Sequence, residues 1–560
     1  MRKESVVLLF DSEEVEQQIM DTKGYMTAMK KYVRSLLTPN KVIFLLILLI
    51  GVLPRVIAFG SIPNGINQDG ASAAIDALAL LKYGTDHYGM SFPVHLTAWK
   101  IGQMSALLSY MMVPFIYLFG FSIVSIRLPL LLMSIISIIV MYGVGKELVS
   151  DKFGLLLMGL TAINPWHFMQ SRWALDCNLF PHFFIIGFYF LLLGFRKKYC
   201  IYISMVFFAL TFYCYGVAVY TVPVFLIASG LLFLRKKKIN VFELFICICI
   251  FGIIALPEIL VMAINYFGWD TMHFGKMTIP RFYETIRAED ILLMNFSWYQ
   301  MIKNIKALIR VALLQHSHTA FNAIPEFGAM YHFSIIFIII GIICILRDSI
   351  RKSDSKNLLV FFYLISAIWC GIITQEVNIN RINIIFFALI IAVGFGIKFI
   401  CNLSRKKSIS ISAYTIIMSV FLVLYARFLV SYYTWIPVAL HVVFNEDFVE
   451  TARIADEYDA ERVYVSSDVG WQDNSQMAEF LLQYACEIDA QYYQGKTNYS
   501  GGKALLPYSE RYHFFNSEEI NDLRIPAGSI IVLPGEDASE LSMPTELLYE
   551  REIFQVRKVN

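Results

Sequence analysis

Residues 241–263 read VFELFICICIFGIIALPEILVMA. A helix needs about 20 mostly apolar residues to cross the hydrocarbon core of a bilayer, and this stretch meets that length. Similar apolar runs recur along the chain, so the sequence predicts a polytopic α-helical membrane protein with about 11–13 transmembrane helices. The other candidate runs are 41–60, 124–146, 153–167, 179–195, 200–213, 217–234, 330–346, 357–373, 383–401 and 410–430, with a shorter apolar segment at 105–119.

The overall composition supports a membrane protein. Of the 560 residues, 57% are hydrophobic and 16% are charged. In a typical soluble protein about a quarter of all residues are charged. The formal net charge of +2 gives no electrostatic reason to expect a nucleic-acid partner. The nine cysteines show no metal-ligand spacing, and the pair His316 and His318 is a weak metal motif without a nearby acid. We therefore expect no metal site and no firm cofactor; a divalent cation is possible but unsupported.

Basic residues predict the orientation of the helices. Two predicted crossings separate each cluster from the next, so the clusters share one side, and the positive-inside rule makes that side the cytoplasm. We therefore expect a multi-pass protein of the plasma membrane with a cytoplasmic N-terminal segment (1–40) and an extracytoplasmic C-terminus. The same parity requires 105–119 to dip into the membrane or lie at its surface, or 105–146 to fold in an unconventional way. The basic clusters are 196–198, 235–238, 347–356 and 405–407, and the principal outer loops are 61–104, 168–178 and 264–329.

The chain changes character after the membrane domain, which we place at 41–430. Residues 431–560 lack long apolar runs and alternate helix-like with strand-like segments. This pattern predicts a small α/β domain on the outer side. The helix-like segments are 445–458 and 475–487, and the strand-like ones are 462–466, 530–533 and 554–559.

The first outer loop contains the leading candidate for a catalytic carboxylate. Asp69 comes just before a predicted helix over 71–83, so it is either the N-cap of that helix or a functional acid at the membrane surface; the two roles are compatible. His95 and Trp99 in the same loop are candidates for acceptor binding or loop support.

The second outer loop supplies a second acid. Arg172 and Asp176 are four residues apart and would share a helix face. They form either an interfacial ion pair or a site in which Asp176 faces the substrate, because charges at that depth are costly and usually functional. Asn178 is a further candidate for acceptor binding or loop support.

A third candidate segment, TQEVNINRIN, covers 374–383. Arg381 is either an anchor that reaches the interface or a phosphate ligand, since guanidinium binds phosphate oxygens in a bidentate manner. Asn380 beside it is a candidate for the same site. Tyr215 lies in a tyrosine-rich turn that is either an interfacial belt or part of the donor site.

Together these motifs resemble the polyprenyl-phosphate-dependent glycosyltransferases of the GT-C type, in particular family 39-like proteins related to protein O-mannosyltransferases and lipid A aminoarabinose transferases. Similar proteins carry Asn-Gln-Asp-Glu-Ala in the first loop and P-W-H-x-x-x-S-R-W-x-x-[ED]-x-N in the second. The resemblance covers about residues 50–430. The matching residues here are Asn67, Gln68, Asp69, Ala71, Pro165, Trp166, His167, Ser171, Arg172, Trp173, Asp176 and Asn178, with Tyr213, Tyr215, Asn380, Arg381 and Asn383 in later family-like positions.

The resemblance implies an inverting transferase. A sugar on a polyprenyl phosphate would be the donor, and a protein, lipid or cell-wall glycan the acceptor. Asp69 would act as base with Asp176 as second catalytic acid, and Arg172, Arg381, Asn380 and Tyr215 would bind the donor phosphate. Gly70 stands where similar proteins carry Glu: a base at the Asp position is retained as Asp69, whereas a reaction that requires the Glu would be lost.

Two other functions are compatible with a polytopic chain. A transporter or flippase for a lipid-linked saccharide would show charges at mid-membrane, whereas here the acids cluster in outer loops, with Glu243 and Glu258 interpreted as lying near helix ends. The other alternative is an inactive relative that binds glycans, supported by Gly70 alone.

Overall fold

The computed structural model describes residues 38–98, 102–283, 292, 296–317, 319–351, 354–374, 376–458, 460–469, 472–473, 475–500 and 503–560. Within these ranges, eight helices are long and apolar enough to cross a membrane, and three shorter helices are also apolar. The prediction of a multi-pass helical membrane protein with a C-terminal sheet domain is confirmed.

The helices of the membrane part follow the predicted apolar runs closely. Those before the third outer loop are α1 (Pro39–Val56), α2 (Gln68–Tyr83), α3 (Leu107–Phe119), α4 (Ile123–Leu148), α5 (Asp151–Ala162), α6 (Pro165–Gln170), α7 (Leu179–Leu193), α8 (Tyr199–Leu210), α9 (Ala218–Arg235) and α10 (Val241–Phe267). Those after it are α11 (Trp298–Leu308), α12 (Ile335–Arg351), α13 (Ser355–Ile373), α14 (Ile385–Cys401) and α15 (Lys407–Leu440). Two hairpins lie in the loops: β1 (His95–Ala98) with β2 (Gly102–Ser105), and β3 (Met272–Phe274) with β4 (Met277–Ile279).

Three of the four predicted basic clusters meet at one end of the helix bundle. Arg196 pairs with Glu147, Lys356 Nζ lies 3.4 Å from the same carboxylate, and Lys238 Nζ donates to Phe195 O at 3.0 Å. This end lies opposite to the C-terminal domain. We call the end next to that domain the domain face.

The short helix α3 begins and ends at the domain face. Ser105, just before α3, donates its N–H to Asp176 at 3.3 Å. Phe121, just after it, packs against Tyr484 of the C-terminal domain with ring centroids 5.6 Å apart. Tyr117 near its end is 74% exposed, as expected of a side chain in contact with lipid. Both ends of α3 therefore lie at the domain face, which is compatible with the dipping or surface position predicted for 105–119.

Helix α15 is longer than predicted. It runs to Leu440 rather than ending near residue 430, and at about 1.5 Å per residue it is about 50 Å long. The hydrocarbon core is only about 30 Å thick, so α15 extends beyond it and ends next to the first outer loop, where Ile66 N donates to Phe444 O at 2.7 Å.

The C-terminal domain is built on a five-stranded sheet. Its strands are β5 (Val463–Ser466), β10 (Tyr512–Phe515), β11 (Ile530–Pro534), β12 (Thr545–Glu550) and β13 (Phe554–Val559), in the order β10-β5-β11-β13-β12. Strands β10, β5 and β11 are parallel, and the other neighbouring pairs are antiparallel. Every residue of β5 and β11 is buried, which is typical of parallel strands covered on both faces. The domain also contains α16 (Glu446–Glu457), α17 (Ser475–Ala485), α18 (Ala490–Tyr493) and α19 (Tyr508–Arg511), with short hairpins β6 (Asp468–Val469) with β7 (Gln472–Asp473) and β8 (Tyr499–Ser500) with β9 (Lys503–Ala504).

The domain rests on the first outer loop. Tyr83 at the end of α2 donates its hydroxyl to Asp489 at 2.7 Å, and Lys82 Nζ lies 3.3 Å from the same carboxylate. Gln494 Nε2 donates to His87 O at 2.9 Å. These contacts hold α2, which carries Asp69, between the helix bundle and the C-terminal domain.

Candidate active site at the domain face

The first outer loop enters helix α2 at Asn67, the N-cap residue. With its amide oxygen turned toward the helix, Asn67 accepts a hydrogen bond from Gly70 N at 3.2 Å and donates to Ala174 O at 3.0 Å. Asp69 lies inside the first turn of the helix and is partly buried. The N-cap interpretation of Asp69 is therefore wrong, because Asn67 supplies the cap.

Gly70 marks a close approach of the first and second outer loops. A β-carbon at Gly70 would lie 3.0 Å from Ala174 O and 2.7 Å from the side-chain amide of Asn67. Because the backbone of Ala174 would have to move for any larger side chain, the glycine is explained by packing rather than by flexibility. The contact brings the turn that carries Asp69 against the segment that leads to Asp176.

Arg172 is a buried structural residue. It is 0% exposed, and its guanidinium faces four aromatic rings at 5.3–5.9 Å. Its five N–H groups donate at 2.6–3.2 Å to the carbonyl oxygens of Pro54, Arg55, Ile57, Ala58 and Ile62 and to the hydroxyl of Tyr432.

These contacts correct two expectations for Arg172. Residues 171–175 are not helical, so Arg172 and Asp176 do not share a helix face. Because all the N–H groups of Arg172 are directed to oxygen atoms of the protein, none is left for a donor phosphate. Arg172 instead ties the end of α1 and the start of the first outer loop to the second loop.

Asp176 connects the second loop to the β1–β2 hairpin. It is 7% exposed and opens a short 3₁₀ turn, Asp176–Asn178. Its carboxylate accepts from Cys177 N at 2.7 Å and from Ser105 N at 3.3 Å. Two backbone donors hold the carboxylate in a fixed orientation.

His95 and Glu258 lie on the other side of that hairpin. His95 pairs with Ser105 across the two strands, and its Nδ1 lies 3.2 Å from both carboxylate oxygens of Glu258. Both side chains are buried, while His95 Nε2 has no partner among the described residues. The pair leaves one imidazole nitrogen for a ligand.

Glu258 is a functional candidate that the sequence analysis missed. It was interpreted as a residue near a helix end, but it lies well inside α10 and is 3% exposed. A lone acid in so apolar a stretch is costly and usually functional, so the signal was present in the sequence. Its partner could not be found there, because His95 is 163 residues away.

The segment 376–384 closes the site from the side of helix α13. Asn383 Nδ2 donates to Cys177 O at 2.6 Å, which joins this segment to the 3₁₀ turn after Asp176. Asn383 Oδ1, Asn178 Nδ2 and Asn380 Oδ1 are buried without a partner among the described residues. Buried polar atoms are nearly always hydrogen-bonded, so this group of amides has the capacity to bind a polar ligand.

Arg381 differs from Arg172 in its surroundings. Its backbone N–H donates to Asn378 Oδ1 at 3.0 Å and its carbonyl accepts from Cys370 Sγ at 3.4 Å. Its side chain is only partly buried and makes no ion pair with a described residue. Arg381 is therefore the better candidate for a phosphate ligand.

The remaining predicted residues are placed as follows. Tyr215 is partly buried in the turn between α8 and α9, near Tyr213, whose hydroxyl donates to Ile254 O at 2.6 Å in α10. Trp99 and His318 lie outside the described residues.

A group of three possible metal ligands lies where α15 meets the α/β domain: His441, Asp447 and Glu552. Arg551 Nε lies 3.1 Å from Asp447 there.

A second cluster of buried charges lies between the first loop and the C-terminal domain. His87 Nδ1 lies 2.5 Å from Asp76 Oδ1, and its ring contacts Phe480 of α17. Burial raises the pKa of Asp86 to about 7, and the nearby Asp76 carboxylate adds to this shift. Burial opposes protonation of His87, but the carboxylates of Asp76, Asp86 and Glu479 together outweigh it, and the pKa of His87 is raised.

This cluster predicts that stability falls as the pH rises. A raised folded-state pKa of Asp86 contributes a penalty that is absent below the unfolded pKa of 3.8 and complete above about 7. The raised pKa of His87 acts in the same direction. We expect Asp86→Asn to stabilise the protein at pH 8.5 by up to about 4 kcal/mol and to have little effect at pH 4.5, measured as thermal unfolding in detergent. An equal effect at both pH values would contradict this account.

Comparison with known proteins identifies the fold. Residues 105–260 match the family model of dolichyl-phosphate-mannose-protein mannosyltransferases. ArnT from Cupriavidus metallidurans bound to undecaprenyl phosphate superposes with a TM-score of 0.56 at 10% identity, covering 92% of this chain and 97% of that one. The archaeal oligosaccharyltransferase AglB from Archaeoglobus fulgidus, in complex with an inhibitory peptide and a dolichol-phosphate, gives a TM-score of 0.51 at 11% identity, covering 79% of this chain and 63% of that one. No curated protein sequence matches the chain.

The fold is therefore that of the GT-C glycosyltransferases. It extends over nearly the whole chain, including the C-terminal domain, in the comparison with ArnT. The resemblance predicted from the loop motifs is confirmed by these findings.

Proposed function

We propose that this protein is a membrane glycosyltransferase that moves a sugar from a polyprenyl-phosphate donor to an acceptor hydroxyl at the domain face, with inversion at the anomeric carbon. The observation that carries the proposal is the packing of the Gly70 turn on Ala174. That contact places the loop of Asp69 against the loop of Asp176 in a protein with the GT-C fold. The similar ArnT structure holds undecaprenyl phosphate, which supports a donor of this class.

Asp69 is proposed to be the base. As the acceptor oxygen forms its bond to the anomeric carbon, its proton passes to the Asp69 carboxylate. The bond from that carbon to the phosphate oxygen breaks at the same time, and polyprenyl phosphate leaves with the electron pair.

Arg381 is proposed to bind the donor phosphate. Polyprenyl phosphate is already a good leaving group, so it needs cationic stabilisation rather than a proton. The partly exposed guanidinium of Arg381 offers paired donors for phosphate oxygens. Asn380, with a buried Oδ1 that has no described partner, supports the same part of the site.

Asp176 and His95 are proposed to hold the substrates. The two backbone hydrogen bonds to Asp176 suit a carboxylate that orients an acceptor rather than one that moves. Glu258 fixes the imidazole of His95 through Nδ1, so that Nε2 is directed to a substrate oxygen.

Glu258→Gln tests this positioning role. We expect the transfer rate to fall about tenfold or more, because a hydrogen bond between charged groups contributes about 1.5–3 kcal/mol. The fall should appear in kcat with donor affinity nearly unchanged, and Glu258→Asp should restore part of it. The control is Glu243→Gln in the same helix, since Gln also serves in the capping box that Glu243 forms. Equal losses in the two Gln variants would contradict a role for Glu258 in the reaction.

The function is tested in cells by mass spectrometry of surface glycans, proteins and lipids. Deletion of the gene should remove one hexose or pentose modification, and the wild-type gene but not Asp69→Asn should restore it. An unchanged glycan profile after deletion would contradict the proposal.

The proposed orientation, with the domain face extracytoplasmic in the plasma membrane, predicts that a cysteine placed at Asn560 reacts with an impermeant reagent in intact cells.

A further inference from the structure

Helix α11 carries three distinct faces along its length. The helix continues beyond Leu308 as one π-helical turn, Ile309–Leu313. At about 100° per residue, its side chains separate into a buried stripe, an exposed apolar stripe and an exposed basic stripe. The buried stripe is Asn304, Leu308 and Val311; the apolar stripe is Trp298, Ile302, Ile305 and Ile309; and the basic stripe is Lys303, Lys306 and Arg310.

The buried stripe fixes the helix against the end of a membrane span. Asn304 Nδ2 donates to Ile372 O at 2.8 Å and to Thr374 O at 2.5 Å. Leu308 packs onto Gly371, where a β-carbon would lie 2.7 Å from Leu308 Cδ1. Because α13 ends at Ile373 and is long and apolar enough to cross the membrane, α11 lies at the boundary of the hydrocarbon core.

The exposed apolar and basic stripes of α11 suit a position at the edge of the hydrocarbon core. Trp298 is 67% exposed and Ile302 is 50% exposed, which is unfavourable in water but suits the acyl region of a bilayer. The basic stripe is rotated about 90° from the apolar one. An amphipathic helix in the membrane plane has this arrangement, with cations at the level of the lipid phosphates.

The three cations have no acidic partner in the described part of the chain. Lys303, Lys306 and Arg310 make no ion pair with any described residue, whereas the basic residues at the opposite face contact Glu147. Three adjacent cations without an acidic partner among the described residues, beside an apolar stripe, are complementary to a negatively charged, lipid-covered surface.

We propose that residues 298–313 form a membrane-surface helix that binds the anionic headgroups of the bilayer through Lys303, Lys306 and Arg310. The apolar stripe enters the acyl region, and the basic stripe contacts lipid phosphates. The inference rests on the exposed stripes of α11 and not on the proposed function.

The test uses the full-length protein in phosphatidylcholine nanodiscs that contain a photoreactive phosphatidylglycerol or, in parallel, a photoreactive phosphatidylcholine. Adducts on the peptide that covers 296–317 are measured by mass spectrometry. We expect the phosphatidylglycerol probe to label this peptide about tenfold or more above the phosphatidylcholine probe, since each basic residue near the surface adds to anionic-lipid binding. The variant Lys303→Gln/Lys306→Gln/Arg310→Gln should reduce that preference to near unity.

A matched control removes the same number of cations at the opposite face: Arg405→Gln/Lys406→Gln/Lys407→Gln. It should leave the labelling of 296–317 unchanged. The thermal midpoint of the first triple variant in pure phosphatidylcholine nanodiscs should equal that of the wild type, because the altered side chains are exposed. Equal labelling by both probes in the wild type, weak labelling by both, or a preference that survives in the first triple variant would overturn the proposal.

Discussion

Asp69→Asn should lower the rate of sugar transfer by about 10²–10⁴-fold, the range typical of a lost general base. The substitution keeps the size of the side chain and most of its hydrogen-bonding capacity but removes the group that accepts the proton. Because Asn67 rather than Asp69 caps helix α2, the helix should lose only the favourable charge in its first turn, about 0.3–1 kcal/mol. The rate is measured with purified enzyme and lipid donor, alongside the thermal midpoint.

The matched control for this prediction is Asp270→Asn. Asp270 is another loop carboxylate, 96% exposed and paired with Arg281, and its loss should leave the rate unchanged. Near-normal transfer in Asp69→Asn would remove the proposed base. A change of rate in Gly70→Glu could not be assigned to the base Asp69, because the new side chain would displace Ala174.

Arg381→Ala should weaken donor binding by about 10–100-fold, which corresponds to the 1.5–3 kcal/mol of a charge-assisted hydrogen bond. Acceptor affinity should change much less. Arg381→Lys should recover only part of the loss, because an ammonium group cannot bind two phosphate oxygens in the manner of guanidinium. Donor and acceptor affinities are measured separately, by titration of the purified protein.

Arg427→Ala provides the comparison for Arg381. Arg427 is an exposed arginine paired with Glu326, so its removal subtracts the same charge without touching the candidate site. If donor affinity is the same in Arg381→Ala as in Arg427→Ala, Arg381 does not bind the phosphate.

Arg172→Ala should instead destabilise the protein, since it would leave a group of buried carbonyl oxygens without donors.

Much of the fold could be predicted because membrane helices and buried strands leave strong local patterns. The apolar runs became helices, and the strands predicted at 462–466, 530–533 and 554–559 became β5, β11 and β13. The prediction that 105–119 does not cross the membrane came from counting crossings between basic clusters, and the structure has both ends of α3 at the domain face. The prediction for α15 was too short: residues 431–440, SYYTWIPVAL, continue the helix, with Tyr432, Ile436 and Leu440 buried.

The candidate site could be predicted only in part. Asp69 and Asp176 were found because each stands in a motif, and the packing of Gly70 on Ala174 relates their loops. The role of Arg172 could not be found, since its acceptors are backbone carbonyl oxygens over 100 residues away, which leave no mark in the sequence. The pairing of His95 with Glu258 depends likewise on a long-range contact between a loop hairpin and helix α10.

The central claim is that the protein cleaves the bond between a sugar and a polyprenyl phosphate. The most direct measurement uses proteoliposomes that contain the purified protein and a polyprenyl-phosphate-sugar fraction from the source cells, with acceptor extract outside. Mass spectrometry should show free polyprenyl phosphate and a glycosylated acceptor formed together by the wild type, and neither formed by Asp69→Asn. Movement of intact donor across the bilayer without cleavage, or equal cleavage by Asp69→Asn, would contradict the account.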